Sequence, residues 1–196
     1  MRFIGFYDYT VILTYVSLAS AILGMMQAAQ GNFIFAELCI IFSSVCDIFD
    51  GVVARTKKGR SAEQKNFGIQ IDALVDLVAF GVAPAVIFYY HGVTGTLGFL
   101  VLTIFLVCGV IRLAFFNILE IKRQANPNAS GCAKEFRGLP IAYSVLITPI
   151  VCSLAQFLPA DARLLVYYLT PVAMGFFFIL DFKMKKINIV ELFAKK

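Results

Sequence analysis

Long apolar runs separated by short polar breaks set the pattern of this chain. Six stretches, near 11–30, 33–55, 68–91, 96–118, 139–159 and 163–182, are each long enough to cross about 30 Å of hydrocarbon as a helix. The pattern predicts an all-α integral membrane fold of six transmembrane helices, forming a single domain over 1–196 without repeat, linker or low-complexity tract. Gly31-Asn32 and the segment from His91-Gly92 to Gly95 read as tight turns. Pro84, Pro149 and Pro171 fall inside spans, where a neighbouring group has to satisfy the carbonyl that each proline leaves free. Residues 1–9, MRFIGFYDY, are amphipathic and aromatic and suit a short interfacial helix. The apolar run behind them lacks a small-x-small cleavage site, so it reads as a retained helix and not as a signal peptide.

Composition supports the bilayer as solvent. The chain has 196 residues, of which 60% are hydrophobic and 15% charged, against about 25% charged in a soluble domain. The net charge of +5 matters through its placement. Arg55, Lys57, Lys58, Arg60 and Lys65 crowd the second loop, and Lys122, Arg123, Lys134 and Arg137 the fourth. Arg2 lies at the start, and Lys183, Lys185, Lys186, Lys195 and Lys196 form the tail. The first and third loops carry no Lys or Arg, and the fifth carries Arg163 alone. By the positive-inside rule both termini and the second and fourth loops are cytoplasmic, and the charge points to anionic membrane lipid. There is no interleaved basic and aromatic groove of the kind that binds single strands, so no nucleic acid is expected as a partner. The cysteines Cys39, Cys46, Cys108, Cys132 and Cys152 are odd in number, form no CxxC pair and lie mostly in apolar runs. They read as small packing residues, with neither a disulfide framework nor a thiolate zinc site supported.

Acids inside apolar helices are costly and need a reason. The second span ends CDIFDGVVAR, and the third begins FGIQIDALVDLVAFGVAPA. At 100° per residue, Asp47, Asp50, Gly51 and Ala54 fall within an arc of about 100°, and Gly68, Asp72 and Asp76 within about 80°. A short loop joins the two helices, so they run antiparallel and their acidic faces can meet near the cytoplasmic surface. Four carboxylates there would repel one another unless divalent cations sat between them, and an all-oxygen set suits Mg²⁺ or Mn²⁺. The bland alternative is pairing with the Lys and Arg of the loop, or capping of helix ends. Gly51 and Ala54 leave the same face open to a flat ligand, and Arg55 beside it suits phosphate.

The string Asp47-x2-Asp50-Gly51-x2-Ala54-Arg55, continued by Gly68-x3-Asp72-x3-Asp76, resembles the signature of the CDP-alcohol phosphotransferases. The resemblance implies a six-helix membrane fold, a homodimer, and two metal ions shared by Asp47, Asp50, Asp72 and Asp76 in a cytoplasm-facing pocket. It implies that Gly51, Ala54, Arg55 and Gly68 lie along the CDP part of the lipid and that Asp76 is the general base. Twelve residues separate Arg55 from Gly68, more than is usual in the family, which argues against carrying over any nucleotide contact from that loop, Ser61 included. The run from Asp72 to Ala85 is similar to the corresponding helix of phosphatidylserine synthases, with Ala73 in place of a serine. Ile111-Arg112-Leu113-Ala114-Phe115-Phe116-Asn117 and Phe136-Arg137-Gly138-Leu139-Pro140 resemble two further segments of theirs. The implied substrates are CDP-diacylglycerol and L-serine, at a bacterial-type cell membrane.

Arg112 has two readings: an arginine snorkelling to the interface, or a bidentate partner for a substrate carboxylate or phosphate. Arg137 has a claim to the acceptor site through the second segment. His91 reads as an interfacial residue at the far face, and the Phe-rich sixth span as lipid-facing. Two rival functions stand beside serine transfer. One is the same chemistry on glycerol 3-phosphate or an inositol compound, although Leu77 occupies the position where phosphatidylglycerophosphate synthases tend to carry a lysine. The other is a small cation transporter, which would favour acids near the midplane and broken helices.

Overall fold

The computed structural model describes residues 5, 11–56, 59, 61–125 and 135–185, with backbone alone at 51–56, 122–125, 135–137 and 183–185. The expected interfacial segment 1–9 (Gly5 aside), the loop residues Lys57, Lys58, Arg60 and Lys134, and the tail beyond Lys185 lie outside these residues. The elements are α1 (Ile12–Ala29), α2 (Phe33–Thr56), α3 (Ala62–Asp76), a π-helical turn (Leu77–Val82), α4 (Ala83–Tyr90), α5 (Gly95–Ala125), β1 (Glu135–Arg137), a 3₁₀ turn (Ile141–Tyr143), α6 (Ser144–Ala155), α7 (Ala160–Ile179) and β2 (Lys183–Lys185). The π turn makes α3 and α4 one continuous rod. Ile12–Ala29, Ala62–Tyr90, Gly95–Ile121 and Ala160–Ile179 are long and apolar enough to cross a membrane. α2 matches them in length, but Glu37, Asp47 and Asp50 interrupt its apolar run, and α6 is shorter.

Many large apolar side chains face outward: Ile34 is 75% exposed, Phe99 68% and Leu74 64%, while Ala21, Ala28, Ala36, Ala79 and Ala83 are fully buried beside larger groups such as Phe80, Phe88 and Phe105. The apolar outer surface suits lipid as solvent. Lipid tails are as apolar as leucine, so helices gain by close backbone approach between small residues and by hydrogen bonds across the seam. The α1–α2 pair is built this way. Ser17 and Ser43 hydroxyls meet at 2.7 Å, and each also donates to the other's backbone carbonyl at 3.0 Å. One turn further along α1, the Ser20 hydroxyl donates to the Cys39 carbonyl at 2.8 Å. At Gly24 a Cβ would stand 3.1 Å from both the Ala36 carbonyl oxygen and Cys39 Cβ.

The start of α3 differs from the pattern, which placed that span from residue 68. Ser61 Oγ accepts from the Gln64 amide at 3.2 Å, and Gln64 Oε1 accepts from the Ser61 amide at 3.1 Å, a capping box that starts the helix six residues earlier. Residues 62–67 of the twelve between Arg55 and Gly68 are thereby helix. β1 and β2 form a two-stranded antiparallel ribbon, pairing Phe136 with Met184, a contact that the apolar pattern did not indicate. His91 caps α4 at the turn. Its side chain is 14% exposed and stacks on Phe33 at 4.0 Å between centroids. In the last span Phe176 and Phe177 are exposed, but Phe178 is buried against Phe105.

Gly24→Leu should destabilise the fold by about 1–3 kcal/mol, the usual cost of overpacking, because the atom it meets is backbone. Thermal unfolding in detergent should register the loss, and an unchanged transition would mean that the α1–α2 seam is looser than described.

Candidate active site

The aspartates come from two antiparallel helices that meet at one end of the bundle. Carboxylate oxygens of Asp47, Asp50 and Asp72 all lie within 4.8 Å of one another. Asp76, one turn beyond Asp72, turns its carboxyl toward that of Asp47. A shared proton or a cation between them offsets the repulsion of two carboxylates so placed. The α2 acids are positioned partly from α1: the Thr14 hydroxyl donates to Asp50 Oδ2 at 2.7 Å, and both residues are buried. Thr14 continues the polar seam of Ser17 and Ser43, so the α1–α2 zipper ends on a site carboxylate.

Behind Asp76 the rod departs from α geometry. The π turn over Leu77–Val82 follows directly, as such turns often do at functional sites. Pro84 has no N–H to give the Phe80 carbonyl one turn earlier, and the Ser144 hydroxyl of α6 donates to that carbonyl instead. The proline in this span is therefore compensated as the apolar pattern required.

Arg112 is 6% exposed, which removes the reading of a guanidinium snorkelling to water. Its Nη2 donates to the Gly138 carbonyl at 3.2 Å, and the guanidinium carbon stands 5.8 Å from the Phe116 ring centroid. Gly138 itself has φ +73°, and a Cβ there would stand 2.7 Å from the Leu180 carbonyl. Its amide donates to the Phe182 carbonyl at 2.7 Å. The Phe136–Pro140 segment is thus clamped between α5 and the end of α7. A Cβ on Gly81 would touch Leu106 at 3.3 Å, which fixes the level of α5 against the Asp76 rod. Counting back roughly one and a half turns on each antiparallel helix brings Asp76 and Arg112 to about the same depth.

Gly51, Ala54 and Arg55 belong to α2 by backbone, and Arg137 to β1; their side-chain surroundings lie outside the described residues. Gly68 is half-buried on α3, and Ser61 is an exposed cap. Two partners of the site, Thr14 and Ser144, carried no sequence signal, since a lone hydroxyl in an apolar helix looks like filler.

The convergent donors are all oxygen, and four acids share one small volume without a described basic side chain among them. The set fits hard divalent cations of the Mg²⁺ or Mn²⁺ type.

Comparison with known proteins points the same way. The family model for CDP-alcohol phosphatidyltransferases matches residues 9–179. The CDP-diacylglycerol–serine O-phosphatidyltransferase of Methanocaldococcus jannaschii is 34% identical over 143 residues, 73% of this chain and 61% of that protein. The protein of the same name from Helicobacter pylori J99 is 37% identical over 141 residues, 69% of this chain and 54% of that one. An archaetidylserine synthase of Methanothermobacter thermautotrophicus is 33% identical over 131 residues, 66% and 51% of the two chains. The chain spans about half the length of the curated relatives it matches. They come from yeast, archaea and bacteria, so the likeness assigns no source. No solved structure matches the chain significantly.

Asp47→Asn, Asp50→Asn and Asp72→Asn should each weaken Mn²⁺ binding at least about tenfold, as loss of one anionic ligand. Thr14→Val should weaken it about tenfold by releasing Asp50, with Thr14→Ser close to wild type. Mn²⁺ titration followed by paramagnetic resonance measures this; wild-type affinity in any two aspartate variants would sink the metal assignment.

Proposed function

This chain belongs to the CDP-alcohol phosphatidyltransferase family, and from that premise we propose that it transfers the phosphatidyl group of CDP-diacylglycerol to L-serine, giving phosphatidylserine and CMP. The observation that carries the reading is the meeting of Asp47, Asp50 and Asp72 in one cluster with Asp76 against Asp47. The serine acceptor is supported by the names of the relatives and by the Phe136–Pro140 and Ile111–Asn117 segments. The reading includes six spans with both termini and the aspartates at the cytoplasmic face, supported by the basic loops at that end, and a homodimer, supported by the family resemblance alone.

The chemistry is a displacement at phosphorus. The serine hydroxyl oxygen attacks the phosphorus that bears diacylglycerol, the bond from that phosphorus to the bridging pyrophosphate oxygen breaks, and CMP leaves with that oxygen. Asp76 accepts the hydroxyl proton. A carboxylate is a weak base for an alcohol, so the transfer is timed with the attack. Two divalent ions, held by Asp47, Asp50, Asp72 and Asp76, would supply charge neutralisation at the pyrophosphate. Gly51, Ala54, Arg55 and Gly68 are assigned to the CDP moiety, where small side chains let the nucleotide reach the helix backbone and Arg55 offers a phosphate donor. Arg112 and Arg137 are assigned to the serine carboxylate, Arg112 beside the Gly138 corner and Arg137 through the Phe136–Pro140 segment.

The purified chain, given CDP-diacylglycerol and Mg²⁺ or Mn²⁺, should form product with serine and not with glycerol 3-phosphate or inositol phosphate. Use of glycerol 3-phosphate with serine ignored would keep the family chemistry and remove the serine assignment. Asp76→Asn should lose about 10²–10⁴-fold in turnover while still binding CDP-diacylglycerol with metal. Joint loss of binding would make Asp76 chiefly a ligand.

Arg112→Lys keeps the charge and loses the planar fork. It should raise KM for serine at least about tenfold, the scale of one charge-assisted hydrogen bond, with a much smaller change for CDP-diacylglycerol. Unfolding temperature should be read alongside, since Arg112 also holds Gly138. Unchanged serine kinetics would leave Arg112 as a clamp alone.

A further inference from the structure

The end of the bundle away from the aspartates holds a second polar cluster that the proposed reaction does not use. Glu37 lies in the second turn of α2, roughly 15 Å along the helix axis from Asp47. His91 caps α4, and Cys152 lies near the end of α6. One ligand atom from each of Glu37, His91 and Cys152 lies within 4.8 Å of the other two. His91 Nε2 stands 4.0 Å from Glu37 Oε1, too far for a hydrogen bond, and has no hydrogen-bond partner among the described residues. The Cys152 thiol lies beside the Glu37 carboxyl, and Cys152 is 2% exposed, Glu37 8%. Phe33 at 4.0 Å and Tyr167 at 4.9 Å pack on the His91 ring and hold its plane. The three residues line a cavity of about 1000 Å³ with Gln27, Asn32 and Arg163.

We propose that Glu37, His91 and Cys152 form a transition-metal site, for Zn²⁺ or an ion of like softness, on the membrane face opposite the aspartates. A mixed sulfur, nitrogen and oxygen donor set selects a borderline cation and not the Mg²⁺-type ion of the aspartate cluster. Ligand bonds of about 2.0–2.3 Å put tetrahedral donors about 3.3–3.8 Å apart, so the three atoms, within 4.8 Å of one another, need to close by at most about 1.5 Å. Charge favours the ion as well. A carboxylate and a thiolate with a neutral imidazole carry two negative charges, which one divalent cation cancels in surroundings where an unpaired charge is costly. Binding releases the Cys152 proton to solvent. It also gives the orphaned Nε2 a partner. The ion clasps α2, the end of α4 and α6, three elements far apart in sequence, and its fourth position faces the cavity. Arg163, the basic side chain lining that cavity, is the competing neutraliser of Glu37.

Cobalt separates this site from the aspartates, because a thiolate-to-Co²⁺ charge-transfer band arises from sulfur ligation and the aspartate cluster offers oxygen. The full chain, purified in detergent, reduced and stripped with chelator, is titrated with Co²⁺ and then Zn²⁺. The wild type should develop the band, saturate at one equivalent of sulfur-bound metal and lose it to Zn²⁺. Cys152→Ala should show no band while keeping the transferase activity proposed for the other end, and His91→Phe and Glu37→Gln should weaken Co²⁺ binding at least about tenfold. Zn²⁺ should raise the unfolding temperature of the wild type and not of Cys152→Ala. A wild type without the band, which needs no variant to fold, overturns the proposal in favour of Arg163 pairing. A band that survives in Cys152→Ala overturns it in favour of another cysteine.

Discussion

Carboxylates removed from water must find positive charge, protons or water, and that constraint organises one end of this molecule. Asp47, Asp50 and Asp72 approach within 4.8 Å of one another between helices whose outer faces are leucine, isoleucine and phenylalanine. Like charges at such distances in a low-dielectric site repel by several kcal/mol. Shared protons, basic partners or divalent cations can offset that repulsion, and the all-oxygen donor set fits hard cations. The Thr14 hydroxyl donates to Asp50 from α1.

The rest of the bundle holds α2 and the α3–α4 rod where this meeting can occur. In water a core of large apolar groups would drive that packing. Against lipid the same force is weak, and the structure uses alanines, Gly24 and paired serine hydroxyls along α1 and α2 instead. The geometry is consequently set by backbone proximity, which tolerates little error. Asp50 inherits that precision because its donor Thr14 stands on the same seam.

The two ends of the bundle differ in donor chemistry as well as in place. Oxygen-only ligands gather at one end, while sulfur, nitrogen and oxygen gather at the other. α2 carries acids of both clusters, Glu37 at one end and Asp47 and Asp50 at the other. The π turn after Asp76 and the clamped corner at Gly138 are two departures from regular geometry among the described residues. Each has its unpaired backbone group taken up by a side chain, from Ser144 and Arg112 respectively.

Apolar run lengths and the spacing of Asp47, Asp50, Asp72 and Asp76 determined the helical membrane architecture and the meeting of the acidic faces, in a cluster that could hold a metal ion. Those features follow from helix periodicity and from the cost of acids in hydrocarbon, both local properties that a linear pattern records. Tertiary structure decided the features in which partners come from distant segments. Thr14 against Asp50, Ser144 against the carbonyl that Pro84 leaves free, and Arg112 against Gly138 look unremarkable in the sequence, because a single hydroxyl or arginine has no periodicity. His91 shows the difference most plainly. Read alone it is an interfacial residue at a turn, and the cysteines show no ligand spacing. Folding closes α2, α4 and α6 around it and places Glu37 and Cys152 beside its unpaired nitrogen, because helix packing, not sequence separation, sets which side chains meet.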